Sequence, residues 1–417
     1  MAHIRKTPAG NFRTNWRDPA GKKRSKTFPT RREASAYLAE IESAMNRGAY
    51  VAPRAGKTRF AVFAAEWTES RRSGDRTDER TASILRTHVL PAWGDWPLDR
   101  IDHMAVQRWV TGLGSTLAPA TVGKCFGVLR AVLRAAVRAR LVAADPTEGV
   151  TAPSTYQARP LTGILSRTEF HERLLPAIPK EHRAIVCVAA GAGLRWGECA
   201  GLTWGAVDLD GGRLHVRQVA VETSAGVTLR PFPKSRAGFR IVPLPEFVVT
   251  ELRSRLALDF PAGDPGPDAL VFATWAGTPP RRSNFRRQVW RPALVRSGLL
   301  GQVVEVGPED WRASWRDEAG TDRRESFVTE REAVAHVASR AAGGVRFHDL
   351  RHSYATWLVT AGTPINDVQA AMGHEQASTT LNRYTHRAAD YDRRILAAFD
   401  PPAAFPPPES GRSDRTG

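Results

Sequence analysis

Hydrophobic and polar positions change their period several times along this 417-residue chain, and the changes divide it. Residues 1–48 open with short alternating segments. NFRTNWRD and RSKTFPT, joined by the turn Asp18-Pro19-Ala20-Gly21, predict strands of a small meander. TRREASAYLAEIESAMNRG then predicts a helix, with Thr30 as N-cap, Glu33 at the capping-box position and apolar residues at helical spacing as far as Gly48. AYVAPRAGKT (49–58) reads as a linker. Residues 59–150 are helical in pattern, and their last segment, PATVGKCFGVLRAVLRAAVRARL, sets Val122, Phe126, Leu129, Val132, Leu133 and Val137 on one face. The Pro- and Thr-rich ADPTEGVTAPSTYQARP (144–160) marks the next boundary, and a larger mixed segment, 160–398, follows. The polar, Pro-rich tail 399–417 is expected to be disordered. The predicted class is multidomain: a small N-terminal three-stranded sheet plus helix, an all-α domain, and a mixed, mainly α (α+β) domain.

Charge changes the picture. The chain carries a formal +17, with a pI near 10.6. Such an excess of Arg and Lys points to a polyanion, because each neutralised phosphate releases a condensed counterion. GC-rich coding inflates Arg and Ala together, but it does not explain the imbalance against Asp and Glu. Between Arg5 and Arg47 there are eleven basic and four acidic residues, interleaved with Phe12, Trp16 and Phe28. This favours a DNA-binding module, with Arg13, Trp16, Arg17, Lys22, Lys23, Arg24 and Lys26 as contacts. Lys124, Arg130 and Arg134 on the amphipathic helix are further candidates, although an ordinary surface helix has the same pattern. No run approaches the roughly 20 apolar residues of a membrane span, and MAHIRKTPAGNFR lacks a signal-peptide core. Cys125, Cys187 and Cys199 are scattered without metal-ligand spacing, which suggests reduced, buried thiols and a cytoplasmic protein.

Four segments of 160–398 carry candidate chemistry. GAGLRWGECAGLTW places Arg195 where a helix begins, with Glu198 one turn on. RPFPKSRAGFRIVPLP (230–245) reads as a hairpin with Lys234 near its turn. FHDLRHSYATWL puts His348 and Arg351 on one helical face, and GHEQASTTLNRYTH supplies His374 and, ten residues on, Tyr384. Singly, each has a plainer reading: a structural ion pair for Arg195 and Glu198, a solvated turn lysine, a helix-capping His374, a packed tyrosine. His352 and His386 are assigned to packing or capping. All six in this order, in a strongly basic chain, are a different matter.

GLRWGECAGLTW, PKSRAGFRIVPLP, HDLRHSYATWL and MGHEQASTTLNRYTH resemble the active-site boxes of tyrosine recombinases of the phage-integrase family. The resemblance implies that 59–150 is a core-binding domain, 160–398 the catalytic domain and 1–48 an arm-type DNA-binding module. It implies Tyr384 as nucleophile forming a 3′-phosphotyrosyl intermediate, Arg195 and Arg351 clamping the phosphate, and Lys234 protonating the leaving oxygen. His348 would exchange the tyrosine proton, His374 would hydrogen-bond the phosphate, and Glu198 would orient the site. No metal or other cofactor is implied. The implied partners are double-stranded DNA at attachment sites, further copies forming dimers and a tetrameric synapse, and an excisionase or DNA-bending protein. A catalytically silent DNA-binding regulator and a topoisomerase of the same chemistry are the rival functions.

One stretch departs from that family's pattern. At an offset of 299, residues 16–39 match 315–338 at 13 of 24 positions, so 302–344 is an inserted second copy of the N-terminal module. Lys22, Lys23, Lys26 and Arg31 become Thr321, Asp322, Glu325 and Glu330, and 305–340 has nine acidic residues against six arginines. The expectation is a duplicate that kept its fold, lost its phosphate-binding surface and loops out of the catalytic fold, as a protein contact or an inert spacer; a second DNA-binding arm is the sharper alternative, and the charge reversal argues against it.

Overall fold

The computed structural model describes residues 2–19, 21–48, 50–71, 75–154, 163–231, 239–261 and 263–373. Lys234, His374, Tyr384, His386 and the tail 399–417 lie outside them. The chain forms two units, Met1–Ala158 and Arg159–Gly417.

In the first unit, β1 (His3–Lys6), β2 (Phe12–Arg17) and β3 (Lys23–Phe28) form an antiparallel sheet in that order, and α1 (Arg31–Asn46) covers one face. Thr30 and Glu33 make the reciprocal capping bonds that the sequence predicts. Trp16 is buried on the helix side and donates its indole N–H to Tyr50 Oη at 3.0 Å. The segment 49–58 is therefore not a free linker: Tyr50 belongs to the small core, and Gly56 is buried against Asp99 and the Leu141 carbonyl.

The helical part comprises α2 (Phe60–Ser70), α3 (Asp75–Ile84), α4 (His103–Leu113) and α5 (Pro119–Arg138). Asp102 caps α4 through the Ala105 N–H, 2.8 Å away. The face of α5 that bears Val122, Phe126, Leu129, Val132 and Leu133 is buried against Phe60, Val89, Trp93 and Val106.

The second unit is built around α6 (Lys180–Gly191), which is buried almost throughout from Ala184. Next come α7 (Trp196–Ala200), β4 (Val207–Asp208), β5 (Arg213–Val216), β6 (Gln218–Glu222), β7 (Val227–Pro231), β8 (Arg240–Pro243) and α8 (Glu246–Asp259). The expected hairpin over 230–245 is corrected here. β7 pairs with β6, and β8 pairs with β5 in a separate three-stranded sheet. The reason is apolar alternation: Val242 of β8 is fully buried beside Leu214 and Val216, whereas Leu229 of β7 is exposed.

Beyond α9 (Arg291–Arg296), the second copy folds as β9 (Gln302–Gly307), β10 (Asp310–Arg316), β11 (Asp322–Phe327) and α10 (Glu330–Arg340). The strand arrangement is that of the first copy, with the central strand again second. The turns correspond atom for atom. Asp18 accepts from the Lys22 N–H at 2.9 Å and pairs with Arg24 at 3.0 Å; Asp317 accepts from the Thr321 N–H at 2.9 Å and pairs with Arg323 at 2.8 Å.

This copy does not loop out. Ala313, Trp315, Ala333, Val334, Val337 and Ala338 join the main core of the unit. Arg291, itself buried, donates to the Ala341 carbonyl at 2.6 Å and to the Ala338 carbonyl, and Trp290 Nε1 donates to the Val345 carbonyl at 2.7 Å. At the entry to the module, Gly301 has φ +68°, and a Cβ there would lie 2.8 Å from both the Ser314 carbonyl and Val337 Cγ1. The chain then runs into α11 (Asp349–Thr360) and α12 (Ile365–Met372).

Candidate active site and nucleic-acid interface

Three elements meet around Glu198. Arg195 precedes α7, and its backbone N–H donates to Glu198 Oε2 at 3.0 Å, while its guanidinium reaches Oε1 at 2.8 Å. Arg240, the first residue of β8, reaches the same carboxylate with Nη2 to Oε2 at 2.8 Å and Nη1 to Oε1 at 3.3 Å. Its Nε donates to the Ala371 carbonyl at 2.8 Å. Burial alone would raise the Glu198 carboxyl; the hydrogen bonds and charge of Arg240, then the charge of Arg195, outweigh it and hold the group at about 2. Glu198 is thus a fixed anion that spaces two cations. Sequence reasoning assigned Arg240 no role in the site.

Arg351 on α11 is 2 % exposed and donates to the carbonyls of Gly193 and Met372. These two bonds fix the guanidinium between the corner at Gly193 and the end of α12. Gly193 has φ +62°, and a Cβ there would overlap the Tyr354 ring at 2.4 Å, so this tight corner requires glycine. Tyr354 is a packing residue whose phenol is pushed up by burial.

His348 stands at the N-cap position of α11 without a side-chain capping bond, and its ring stands edge-on to His352 at 5.0 Å. Burial, then His352, Arg351 and Arg195, push its imidazole down, to about 4, against the opposing pull of Asp349. Its outer edge is exposed to solvent, which softens the displacement; the direction, toward neutral imidazole at pH 7, is what the surroundings fix. Asp349 is occupied elsewhere: Arg346 grips it through Nη2 at 2.8 Å and its own backbone N–H at 2.8 Å. His352 is buried, in keeping with a packing role. Of the six expected catalytic residues, Arg195, His348 and Arg351 lie together, and the other three are outside the described residues. Cys125, Cys187 and Cys199 are free and buried, and burial pushes their thiols up, so none is a poised nucleophile. Among the described residues no group of His, Cys, Asp and Glu fits a metal ion, and no helix is long and apolar enough to cross a membrane.

The expected DNA contacts divide by location. The open face of the first sheet carries Arg13, Arg17 and Lys23, and the strand register adds Arg5, which alternation along β1 would have revealed. Lys22 is exposed in the turn. Trp16 is corrected: at 3 % exposure, and bonded to Tyr50, it is core. Arg24 is pinned to Asp18, and Lys26 lies over the Tyr37 ring at 4.4 Å, so both belong to the helix side. In the helical part, Arg130 and Arg134 line a cleft of about 500 Å³ with Trp67, Arg71 and Arg138. Arg71 stacks on Trp67 at 4.3 Å, Arg134 pairs with Asp145 at 2.9 Å, and Lys124 is exposed on the same helix outside this lining.

Comparison with known proteins gives a consistent picture. The model described as "Phage integrase central domain" matches residues 60–152, and that described as "Phage integrase family" matches 323–390. The chain is 26 % identical over 411 residues to the protein named as the prophage phiRv2 integrase of Mycobacterium tuberculosis, covering 95 % of this chain and 94 % of that one. In fold it is similar to the Tn1549 transposon integrase in complex with a circular intermediate DNA, at 19 % identity and a TM-score of 0.57, over 82 % of this chain and 99 % of that one. A lambda integrase tetramer bound to a Holliday junction is similar at 15 % identity and a TM-score of 0.51, over 93 % and 96 %.

Proposed function

The chain belongs to the tyrosine recombinase family of phage integrases and is a site-specific recombinase of a mobile element, and we propose that it cuts and rejoins DNA through a 3′-phosphotyrosyl intermediate on Tyr384. The observation that carries this reading is the charge balance at Glu198. Arg195 and Arg240 hold one ionised carboxylate between them, Arg351 and Arg195 both act on His348 and push it toward the neutral form, and the neighbouring Asp349 is taken up by Arg346. A site with surplus fixed cations and a neutral base is suited to a phosphodiester that is about to gain negative charge on its non-bridging oxygens.

In the proposed mechanism, Tyr384 Oη attacks the scissile phosphorus. The new P–O bond forms as the bond to the 5′ oxygen breaks, His348 accepts the phenolic proton, and Lys234 supplies one to the departing oxygen. Attack by another 5′ hydroxyl reverses each transfer and restores the tyrosine, so the number of phosphodiesters is unchanged and no external energy source is required. Arg195, 39 % exposed at its side chain, is open to the phosphate, and Arg351 charges the site from beneath. His374 hydrogen-bonds the phosphate.

Residues 1–48 serve as the arm-binding module, 59–150 as the core-binding domain, with the Trp67–Arg130 cleft facing the backbone, and 160–398 as the catalytic domain. Dimers form on each core site and a tetramer at synapsis, with an excisionase or bending protein setting direction, in the cytoplasm where the DNA lies. The test uses nicked duplexes from DNA flanking the gene, mixed with wild-type or Tyr384→Phe protein. A denaturation-resistant adduct with wild type alone is the expected result. Tight binding by both proteins without an adduct would replace this reading with a silent regulator.

A further inference from the structure

The acidic character of the second copy argues against a role in DNA binding only if the acids lie on the surface that corresponds to the arm face. Seven of the nine do not. A sheet with a helix on one side has one open face, and in the second copy the register assigns to it Gln302 and Val304 of β9, Arg312, Ser314 and Arg316 of β10, and Asp322, Arg324 and Ser326 of β11. Arg312 and Arg316 occupy the places of Arg13 and Arg17, and Arg324 stands where the first copy has Ser25. All three arginines are exposed.

Of the nine acids, only Asp310 and Asp322 lie on this face, in exposed pairs with Arg312 at 3.9 Å and Arg316 at 3.3 Å. The others belong to turns, the helix side or the helix. Asp317 closes the β10–β11 turn, Glu325 pairs with His336 at 3.3 Å, and Glu330 pairs with Arg296 at 3.4 Å. Because α10 and the opposite sheet face are built into the core of the unit, the open face is directed outward from it.

We propose that the open face of β9–β11 is a second surface for duplex DNA, fixed to the catalytic unit rather than carried on the N-terminal module. Its arginines meet phosphates, and the hydroxyls of Ser314 and Ser326 and the amide of Gln302 supply the short polar contacts that position a sheet on a duplex. Val304, 55 % exposed, is compatible with this, since apolar side chains contact thymine methyls and sugars. Charge complementarity favours DNA over a protein partner: Arg5 and Lys23 of the first copy give way to Val304 and Asp322, but the face keeps two arginines in register, gains a third and stays basic, with three arginines against Asp310 and Asp322.

The inference rests on the reading of this protein as a DNA recombinase, and the test separates the two. Full-length protein is titrated with a long mixed-sequence duplex by fluorescence anisotropy at several NaCl concentrations. The variant R312Q/R316Q/R324Q is expected to lower the slope of log affinity against log salt by roughly 2 to 3, at about 0.9 per lost phosphate contact. Asp322→Lys, which restores the residue of the first copy at an exposed site, is expected to raise the slope by about 1. An R5Q/R13Q/R17Q variant reports on the arm face independently.

If the arm variant lowers the slope while both changes to the second copy leave it unaltered, the proposal is overturned and the DNA-binding reading stands. Loss of self-association in R312Q/R316Q/R324Q at unchanged slope also overturns it, in favour of a contact between protomers. If no variant alters the slope, both fail together.

Discussion

Removing Arg240 tests the electrostatic account of the site most directly. Glu198 is 3 % exposed and its carboxylate accepts four bonds, two from Arg240 and two from Arg195. Arg240→Ala removes the buried pair and leaves the carboxylate to Arg195, whose side chain is 39 % exposed. Breaking one side of a buried ion pair costs about 3–5 kcal/mol. The lower end applies here, because Arg195 remains. The displacement of the carboxyl from 4.5 to about 2, to which Arg240 and Arg195 both contribute, is of the same order, about 3 kcal/mol in favour of the ionised folded form.

The pH dependence follows in sign. Because the folded-state carboxyl is depressed, its contribution is complete above about 4.5 and is lost as pH falls toward 2. In Arg240→Ala that gain should shrink, so the variant differs from wild type most at pH 7 and least at the acid end. Calorimetry on the full chain is the assay, and the transition of the second unit should fall by roughly 6–12 °C at pH 7 for a loss of about 3 kcal/mol. R240A/E198Q should recover part of the loss, since no charge is then stranded. A shift below about 2 °C, equivalent to under 1 kcal/mol, or strictly additive behaviour of the double variant, would refute the reasoning.

Other consequences follow from particular contacts. Arg291→Ala leaves carbonyls at Ala338 and Ala341 without their donor; limited proteolysis within 302–344 should accelerate, and adduct formation should fall with it. His348 is pushed below its ordinary range, so the neutral form that the proposed mechanism uses persists as pH falls through 6.5; the rate of adduct formation should show no His348 step there, and a sharp loss centred near 6.5 would contradict this. Trp16→Ala should melt the N-terminal module, at a cost of about 3–5 kcal/mol, rather than reduce the salt slope as an exposed contact does. Reciprocal exchange of one aligned position should give opposite outcomes by thermal denaturation. Val334→Ser exchanges a valine that is 2 % exposed for a buried hydroxyl and should cost about 2–3 kcal/mol, whereas Ser35→Val on the exposed side of α1 should change stability by under about 0.5 kcal/mol.

Local patterns made part of this structure legible. Period-two alternation and the Thr30 capping box specify the small sheet and its helix because both depend on residues within a few positions of one another. His348 and Arg351 were legible together for the same reason. Arg240 was not: its partner Glu198 is 42 residues away, and no local spacing encodes an ion pair across two elements. Pairing of β7 with β6 instead of β8 was hidden likewise, since the choice depends on which strand has an apolar face to bury. Trp16 was misplaced because aromatic interleaving with basic residues describes a DNA-binding face and a small hydrophobic core equally well.

The duplicated module shows where the missing signal lay. Its aligned differences are paired, not scattered. Lys26 over Tyr37 in the first copy becomes Glu325 against His336 in the second, so one cation–ring contact was exchanged for one ion pair at the same place. That exchange alters net charge without touching the open face, so a charge count over 305–340 does not by itself describe that face. The informative change is instead on the helix. Ser35, exposed in α1, is replaced by Val334, buried in α10, which widens the apolar stripe through Ala333, Val337 and Ala338. A helix in a module of this size needs one buried stripe to hold its own sheet; a wider one must have a second neighbour, and here that neighbour is α9 and the main core of the second unit. The wider stripe is therefore the sequence record of the module's incorporation, and it places the insert within the fold that delivers His348 and Arg351.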